Sequence, residues 1–268
     1  MNTPKMFDPY GVAPDIHVVP SYFPIPGLGV VPVNAFVLQA AEPVLVDTGL
    51  VPLSDQFMEK LSSVIDPEDL RWLWLTHTHP DHIGSLWRVL EAAPKLRIIT
   101  TFLGVGEMSL FDPLPIDRIY LLNPGQSLDM GDRTLTAIKP PSYDSPETTG
   151  FYDSKTAAFF SADCFGALMS EPEENVAGIK TEDLREGMLF WATVDATWLH
   201  SVDRALFDQS LDRIRELSPK LVLSAHLPIA SDMPEKLLEY HGAVLEAQPF
   251  VDPNQQALEA MLKVMTKA

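Results

Sequence analysis

Between Thr76 and His82 the chain reads Thr-His-Thr-His-Pro-Asp-His. This places three imidazoles (His77, His79 and His82) and one carboxylate (Asp81) within six residues. Imidazole nitrogen and carboxylate oxygen suit Zn²⁺, Fe²⁺ or Mn²⁺ and need no cysteine. Without a cation the segment would crowd donors and positive charge together for no structural gain. The spacing therefore predicts a metal site.

The flanks supply a platform for these residues. Leu70–Leu75 (LRWLWL) is apolar at almost every position, as expected of a strand buried on both faces. After the cluster, Ile83, Leu86, Trp87 and Leu90 recur at helical spacing and predict one buried helix face. The donors are thus expected on the turn at a strand's C-terminal end, where α/β proteins hold ligands. Pro80 stiffens that turn.

Strands are expected at 16–22, 31–39, 44–47 and 97–101. Ser54 is expected to cap a helix through about Ile65, with Phe57, Leu61 and Ile65 on one face. Gly131-Asp132-Arg133 predicts a hairpin turn feeding a strand at 134–139, and Pro140-Pro141 opens a loop to Thr149. Residues 171–183 are acidic and weakly patterned, as in an exposed loop. The aromatic-rich stretch 184–217 (Phe190, Trp191, Trp198, Leu206, Leu211, Ile214) reads as core helices, or else as an insertion over the site. A last core strand at 220–224 and helices at 233–247 and 255–267 follow. Periodicity alone gives a mixed α/β class.

The length of 268 residues suffices for one large two-layered core or two small domains; we expect a single domain over 1–268. The formal net charge of −18 opposes general attraction to nucleic acid or an anionic membrane. A small anionic substrate stays compatible, because a bound cation inverts the local field. The lone Cys164 excludes an internal disulfide and fits a cytoplasmic location; it reads as a buried thiol inside an apolar strand. The N-terminal stretch lacks the pattern of a signal peptide. No apolar run approaches the roughly 20 residues of a membrane span. His17, His200 and His241 lie outside every motif; His200, after Trp198, is the candidate pocket residue among them. There is no glycine-rich phosphate loop, serine nucleophile elbow or Cys-x-x-Cys pair.

The His-Thr-His-Pro-Asp-His run resembles the H-x-H-x-D-H signature of the metallo-β-lactamase fold superfamily. Val44–Gly49 (VLVDTG), Ala157–Gly166 (AAFFSADCFG) and Ser224–Pro228 (SAHLP) follow the order of that superfamily's other motifs. The resemblance implies an αββα sandwich of two mixed sheets with helices on the outer faces. It also implies two divalent metal ions (Zn, Fe or Mn). His77, His79 and Asp144 would hold one; Asp81, His82 and His226 would hold the other; Asp163 would bridge them. Asp81 and Asp47, the latter supporting the ligands, are the candidate catalytic residues, and Thr76 and Thr78 could also support the ligating imidazoles.

A narrower resemblance covers 144–166 (DSPETTGFYDSKTAAFFSADCFG), which is similar to flavodiiron proteins and stand-alone oxygen-binding di-iron proteins. Their pattern is H-x-E-x-D-H, then a histidine, a bridging aspartate and a final histidine. This chain departs twice. His79 stands at the glutamate position, and Asp144 falls where the middle histidine belongs, with Ser142, Tyr143 and Glu147 nearby. His79 favours a hydrolase in which paired cations activate water on a small ester, lactone, thioester or phosphodiester. The alternative is a stand-alone di-iron protein that binds or reduces O₂ or NO. It would use a separate electron donor, since a flavodoxin domain has no room after residue 228. A degenerate fold retained for binding is the weakest reading. A small-molecule substrate and a homodimer complete the expected partners.

Overall fold

The computed structural model describes residues 3–265. Among these, two sheets pack face to face. The first contains β1 (Lys5–Met6), β2 (Tyr10–Ala13), β3 (Ile16–Ile25), β4 (Gly29–Leu38), β5 (Val44–Val46), β6 (Trp72–Trp74), β7 (Arg97–Thr100) and β8 (Ile119–Leu121). Its order is β1-β3-β4-β5-β6-β7-β8, with β2 also paired to β3. The early strands pair antiparallel, and β5 to β8 pair parallel. The second sheet contains β9 (Ser127–Asp129), β10 (Thr134–Ile138), β11 (Gly150–Asp153), β12 (Ala158–Phe160), β13 (Leu221–Leu223) and β14 (Ala230–Ser231), in the order β14-β13-β12-β11-β10-β9. In it β12 and β13 pair parallel.

Strand alternation explains the layering. Phe36, Trp72, Trp74, Phe151, Phe160 and Leu223 point between the sheets. There Phe151 stacks on Phe160 at 4.2 Å between centroids, and Trp74 lies 4.3 Å from Phe151. Burying each phenylalanine contributes roughly 1.5–3 kcal/mol. The intervening residues face outward. Val37, Leu45, Leu73 and Ile98 meet Phe57 and Leu61 of α1 (Ser54–Val64), Val89 and Leu90 of α2 (Leu86–Ala92), and Met108 of α3 (Phe102–Ser109). On the opposite side Phe159 and Val222 meet α4 (Thr181–Asp195), α5 (Arg204–Leu217) and α6 (Pro234–Gly242). The result is the αββα sandwich. Helix α7 (Gln255–Met265) follows; the end of the expected helix, through Lys267, lies outside the described residues. No helix among the described residues is long and apolar enough to cross a membrane.

Several local expectations change. Ser54 is the first helical residue of α1 and makes no capping bond, because a 3₁₀ turn at Val51–Leu53 leads directly into the helix. Ile65 has already left the helix. Helix α2 starts at Leu86 rather than Ile83, and Trp87 is 40% exposed. The cause is close backbone packing: a Cβ on Gly84 would stand 2.3 Å from Gly49 O and Val51 N, so the chain crosses the Asp47–Gly49 turn before it coils. Residues 171–183 are only partly a loop. Val176 is buried in a 3₁₀ turn, and α4 has begun by Thr181. Helices α4 and α5 are core helices, although Leu206 is 64% exposed on α5. Cys164 is buried but not in a strand. Strand β12 ends at Phe160, and the next residues turn, with Cys164 N–H donating to Ser161 O. Burial pushes the Cys164 thiol up to about 12.

Candidate metal centre

The turn after β6 carries His77, His79, Asp81 and His82. It is clamped by the Asp-Thr-Gly turn after β5. Thr48 N–H donates to His82 O at 2.7 Å, Gly84 N–H donates to Gly49 O at 2.8 Å, and Thr48 Oγ1 bonds both His82 O and Ser85 N. Parallel pairing of β5 with β6 sets the two turns side by side. Asp47 adopts a φ of 57°, sparsely occupied by non-glycine residues, and its carboxylate meets His82 and Thr76. Asp163 sits in a similarly unusual turn between Ala162 (φ 52°) and Phe165 (φ 70°).

The residues expected as ligands converge, in the expected groups. His77, His79 and Asp144 form one set of donors, and Asp81, His82 and His226 form another. Asp163 faces both. Its Oδ2 is 3.2 Å from His77 Nε2, and its Oδ1 is 3.1 Å from both His82 Nε2 and His226 Nε2. Asp81 Oδ2 lies 3.6 Å from His82 Nε2 and 3.5 Å from His226 Nε2. Asp144 Oδ2 lies 2.7 Å from His79 Nδ1, and its Oδ1 lies 3.7 Å from His77 Nε2.

The residues fit a cation. The buried atoms His77 Nε2, His82 Nε2 and Asp163 Oδ1 have no aligned hydrogen-bond partner. Ligands about 2.1 Å from a shared metal stand roughly 3.0–3.4 Å from each other, close to the separations seen here. Orphaned polar atoms are costly in an interior, and a cation between them removes that cost.

The supporting bonds set the tautomers. His82 Nδ1 donates to Asp47 Oδ2 at 2.8 Å, and His226 Nδ1 donates to Pro32 O at 2.8 Å. Both rings therefore turn Nε2 toward Asp163. Thr76 donates its N–H and hydroxyl to the two oxygens of Asp47 at 2.8 and 2.7 Å. Thr78 instead donates its hydroxyl to Glu147 at 2.8 Å.

Of the residues near the missing middle histidine, Asp144 reaches the centre. Glu147 is turned onto Thr78 and Ser145. Tyr143 packs against Trp198 at 4.9 Å, and its carbonyl accepts from Trp198 Nε1 at 2.7 Å. Ser142 is buried.

The donors hold one another's charge. Burial, the largest influence on His82, disfavours its protonated form, but Asp81, Asp163 and Asp47 together raise its pKa well above the ordinary histidine range. Burial opposes protonation of His226 too, yet Asp163 pushes it up to about 9. Asp163 is held well below the usual carboxylate range: burial opposes this, and His77, His82 and His226 outweigh it. Burial lowers His77, and the bond to Asp144 raises His79, whose side chain is 44% exposed.

Sequence reasoning missed several neighbours. Asn34 donates its amide to Ser224 O at 3.1 Å and Leu227 O at 2.9 Å, holding the turn that presents His226. Trp191 lies 4.6 Å from the His226 ring. Asp195, the last residue of α4, joins Asp144 and Asp163 in a further group of donors. His200 joins none of these donor groups, and His241 is buried beside Cys164.

A family model described as ODP family beta lactamase matches residues 31–226. A nitric oxide reductase of Moorella thermoacetica is 30% identical over 227 residues, covering 80% of this chain and 53% of that protein. Diflavin flavoprotein A 1 of Synechocystis sp. is 29% identical over 134 residues, covering 50% of this chain and 23% of that protein. The chain thus spans about half or less of these relatives' length. Among solved structures, rubredoxin oxygen:oxidoreductase from Desulfovibrio gigas superposes with a TM-score of 0.77 at 19% identity, covering 89% of this chain and 61% of that one. A fragment, residues 1–254, of a diflavin flavoprotein A 5 from Nostoc sp. superposes with a TM-score of 0.74 at 17% identity, covering 91% of this chain and 97% of that one.

Proposed function

We propose, for a chain that belongs to the ODP beta-lactamase family, that it is a di-iron protein which reduces O₂ or NO with electrons from a separate donor. The composition of the donor set carries this reading. The two departures from the di-iron pattern, histidine at 79 and aspartate at 144, are an exchange between residues that meet at 2.7 Å. The set formed by His77, His79, Asp81, His82, Asp144, Asp163 and His226 keeps the four imidazoles and three carboxylates of the H-x-E-x-D-H, His, Asp, His pattern. Charge and donor hardness around the pair of cations therefore match that pattern. Relatives named as a nitric oxide reductase and a diflavin flavoprotein support the same reading.

The hydrolytic expectation rested on His79 alone, and paired with Asp144 that histidine leaves the tally unchanged. Redox chemistry takes its place as the preferred reading. Two irons, when bound, would supply Lewis acidity and relay the electrons that the separate donor provides. The chain supplies the rest. Asp163 spans the two groups of donors. Asp47 and Pro32 O orient His82 and His226. Trp198 anchors the loop that carries Asp144, and Trp191 shields one face of His226. Either reduction consumes electrons and protons in equal number. The electron donor is a reduced flavin or rubredoxin-type protein, docked to this chain or joined to it.

The test is anaerobically iron-loaded protein supplied with chemically reduced flavin. Consumption of NO or O₂ at an electrode beyond that of reduced flavin alone, with the excess lost on Asp163→Ala, is expected. Chelator-sensitive hydrolysis of esters, lactones or phosphodiesters, with no NO or O₂ consumption by the iron form, would overturn the proposal.

A further inference from the structure

Asp195 approaches the centre from a different layer than the other donors. It ends α4, on the outer face of the second sheet, and its oxygen lies within 4.8 Å of ligand atoms on both Asp144 and Asp163. Its Oδ2 is buried and has no hydrogen-bond partner. His77 Nε2 and Asp163 Oδ1 are likewise buried and unpartnered, in fully buried residues, whereas Asp195 as a residue is partly exposed. Asp195 also sits at the C-terminal end of a helix, where the unpaired carbonyls disfavour a carboxylate. Two further carboxylates face it. Burial, a helix tail and neighbouring anions all work against an aspartate here, and a cation removes all three penalties at once.

We propose that Asp195 is an additional carboxylate ligand of the metal position served by His77, His79 and Asp144. This inference rests on the two-metal reading of the site. It makes the two positions unequal in a defined sense. One is surrounded by two imidazoles and the carboxylates of Asp144, Asp163 and Asp195. The other has two imidazoles with Asp81 and Asp163. The first is the harder and more negative site, and it selects Mn²⁺ or Fe²⁺ over Zn²⁺ more strongly than its neighbour does.

The test uses the full chain stripped with a chelator and titrated calorimetrically with Mn²⁺ and, separately, with Zn²⁺. Wild type is compared with Asp195→Asn, which keeps shape and removes charge. Wild type is expected to take up two Mn²⁺ per chain. Asp195→Asn should lose about tenfold or more in affinity for one Mn²⁺ and keep the other unchanged, with a smaller loss for Zn²⁺. The metal-free variant should melt at or above the wild-type temperature, because an unpaired buried carboxylate is gone; a purely structural aspartate would lower it. Identical titrations by both proteins would overturn the role of Asp195 and leave the two-metal reading standing. Uptake of fewer than two Mn²⁺ by wild type would overturn that reading and this inference together.

Discussion

The Asp47 carboxylate and the His82 imidazole form a buried pair, Oδ2 to Nδ1 at 2.8 Å, and Thr76 donates two hydrogen bonds to the same carboxylate. This pair joins two neighbouring strand ends of the first sheet. It fixes which nitrogen of His82 faces Asp163.

That arrangement makes Asp47 a positioning residue for the metal. Asp47→Asn keeps the shape and tolerates the positive φ, but it weakens the hold on the His82 N–H. Metal affinity, measured by competition with a chelator, should fall by about 10–100-fold with an unchanged circular dichroism spectrum. Wild-type affinity would show that His82 needs no such partner.

The exchange between His79 and Asp144 can be reversed. His79→Glu alone leaves one imidazole in that donor group, and Asp144→His alone removes the carboxylate that meets His79. Each should lose one metal per chain under chelator challenge. The double variant His79→Glu/Asp144→His restores the di-iron pattern and should recover two, as counted by elemental analysis. Failure of the double variant to exceed either single one would mean that the two residues do not share a metal.

Burial lowers the pKa of His241 to about 4, and its neighbours are the Cys164 thiol and the rings of Phe165 and Phe207. In the unfolded chain a histidine titrates near 6.5. Between these values the unfolded state binds a proton that the folded state does not. Stability should therefore fall as pH drops from about 6.5 to about 4, by on the order of 3 kcal/mol from this group. Urea melts of metal-free wild type and His241→Leu check it. The wild type should lose more stability over that window, and parallel pH profiles would contradict the assignment.

The Arg133 side chain is fully buried. It donates Nη1 to Asp153 at 3.1 Å and Nη2 to Asp132 at 3.1 Å, and it pairs with Asp15 just before β3. Replacing it with methionine leaves the fully buried Asp153 without its cation, while Lys155 still pairs with Asp15 and Asp132. Arg133→Met should cost about 3–5 kcal/mol in urea unfolding, with metal binding unaffected in the folded fraction. A loss under about 1 kcal/mol, the scale of an exposed pair, would mean that water replaces the guanidinium.

Much of the centre was legible in the chain because its donors are local to strand ends. The apolar run 70–75 predicts a buried strand, and the residues after it must then emerge at the sheet's edge. His77, His79, Asp81 and His82 follow from that spacing alone. Asp163 and His226 each come just after a short apolar strand, β12 and β13, which pair in parallel and deliver both residues to the same end. Alternation of side chains then divides Trp72 and Trp74 from Leu73 between two layers.

Other features depended on contacts between distant parts of the chain. The carboxylate of Asp144 meets His79 on a loop that Trp198 holds by the carbonyl of Tyr143, fifty-five residues before it. His226 is aimed by Pro32 O and Asn34, nearly two hundred residues earlier, through β4. Asp195 reaches the centre because α4 packs across the second sheet. None of these has a local signature, since a polar side chain near an apolar stretch is equally compatible with solvent. Local periodicity specifies which face of an element is buried; the packing of layers specifies which polar groups end that burial without water, and so which of them a metal must satisfy.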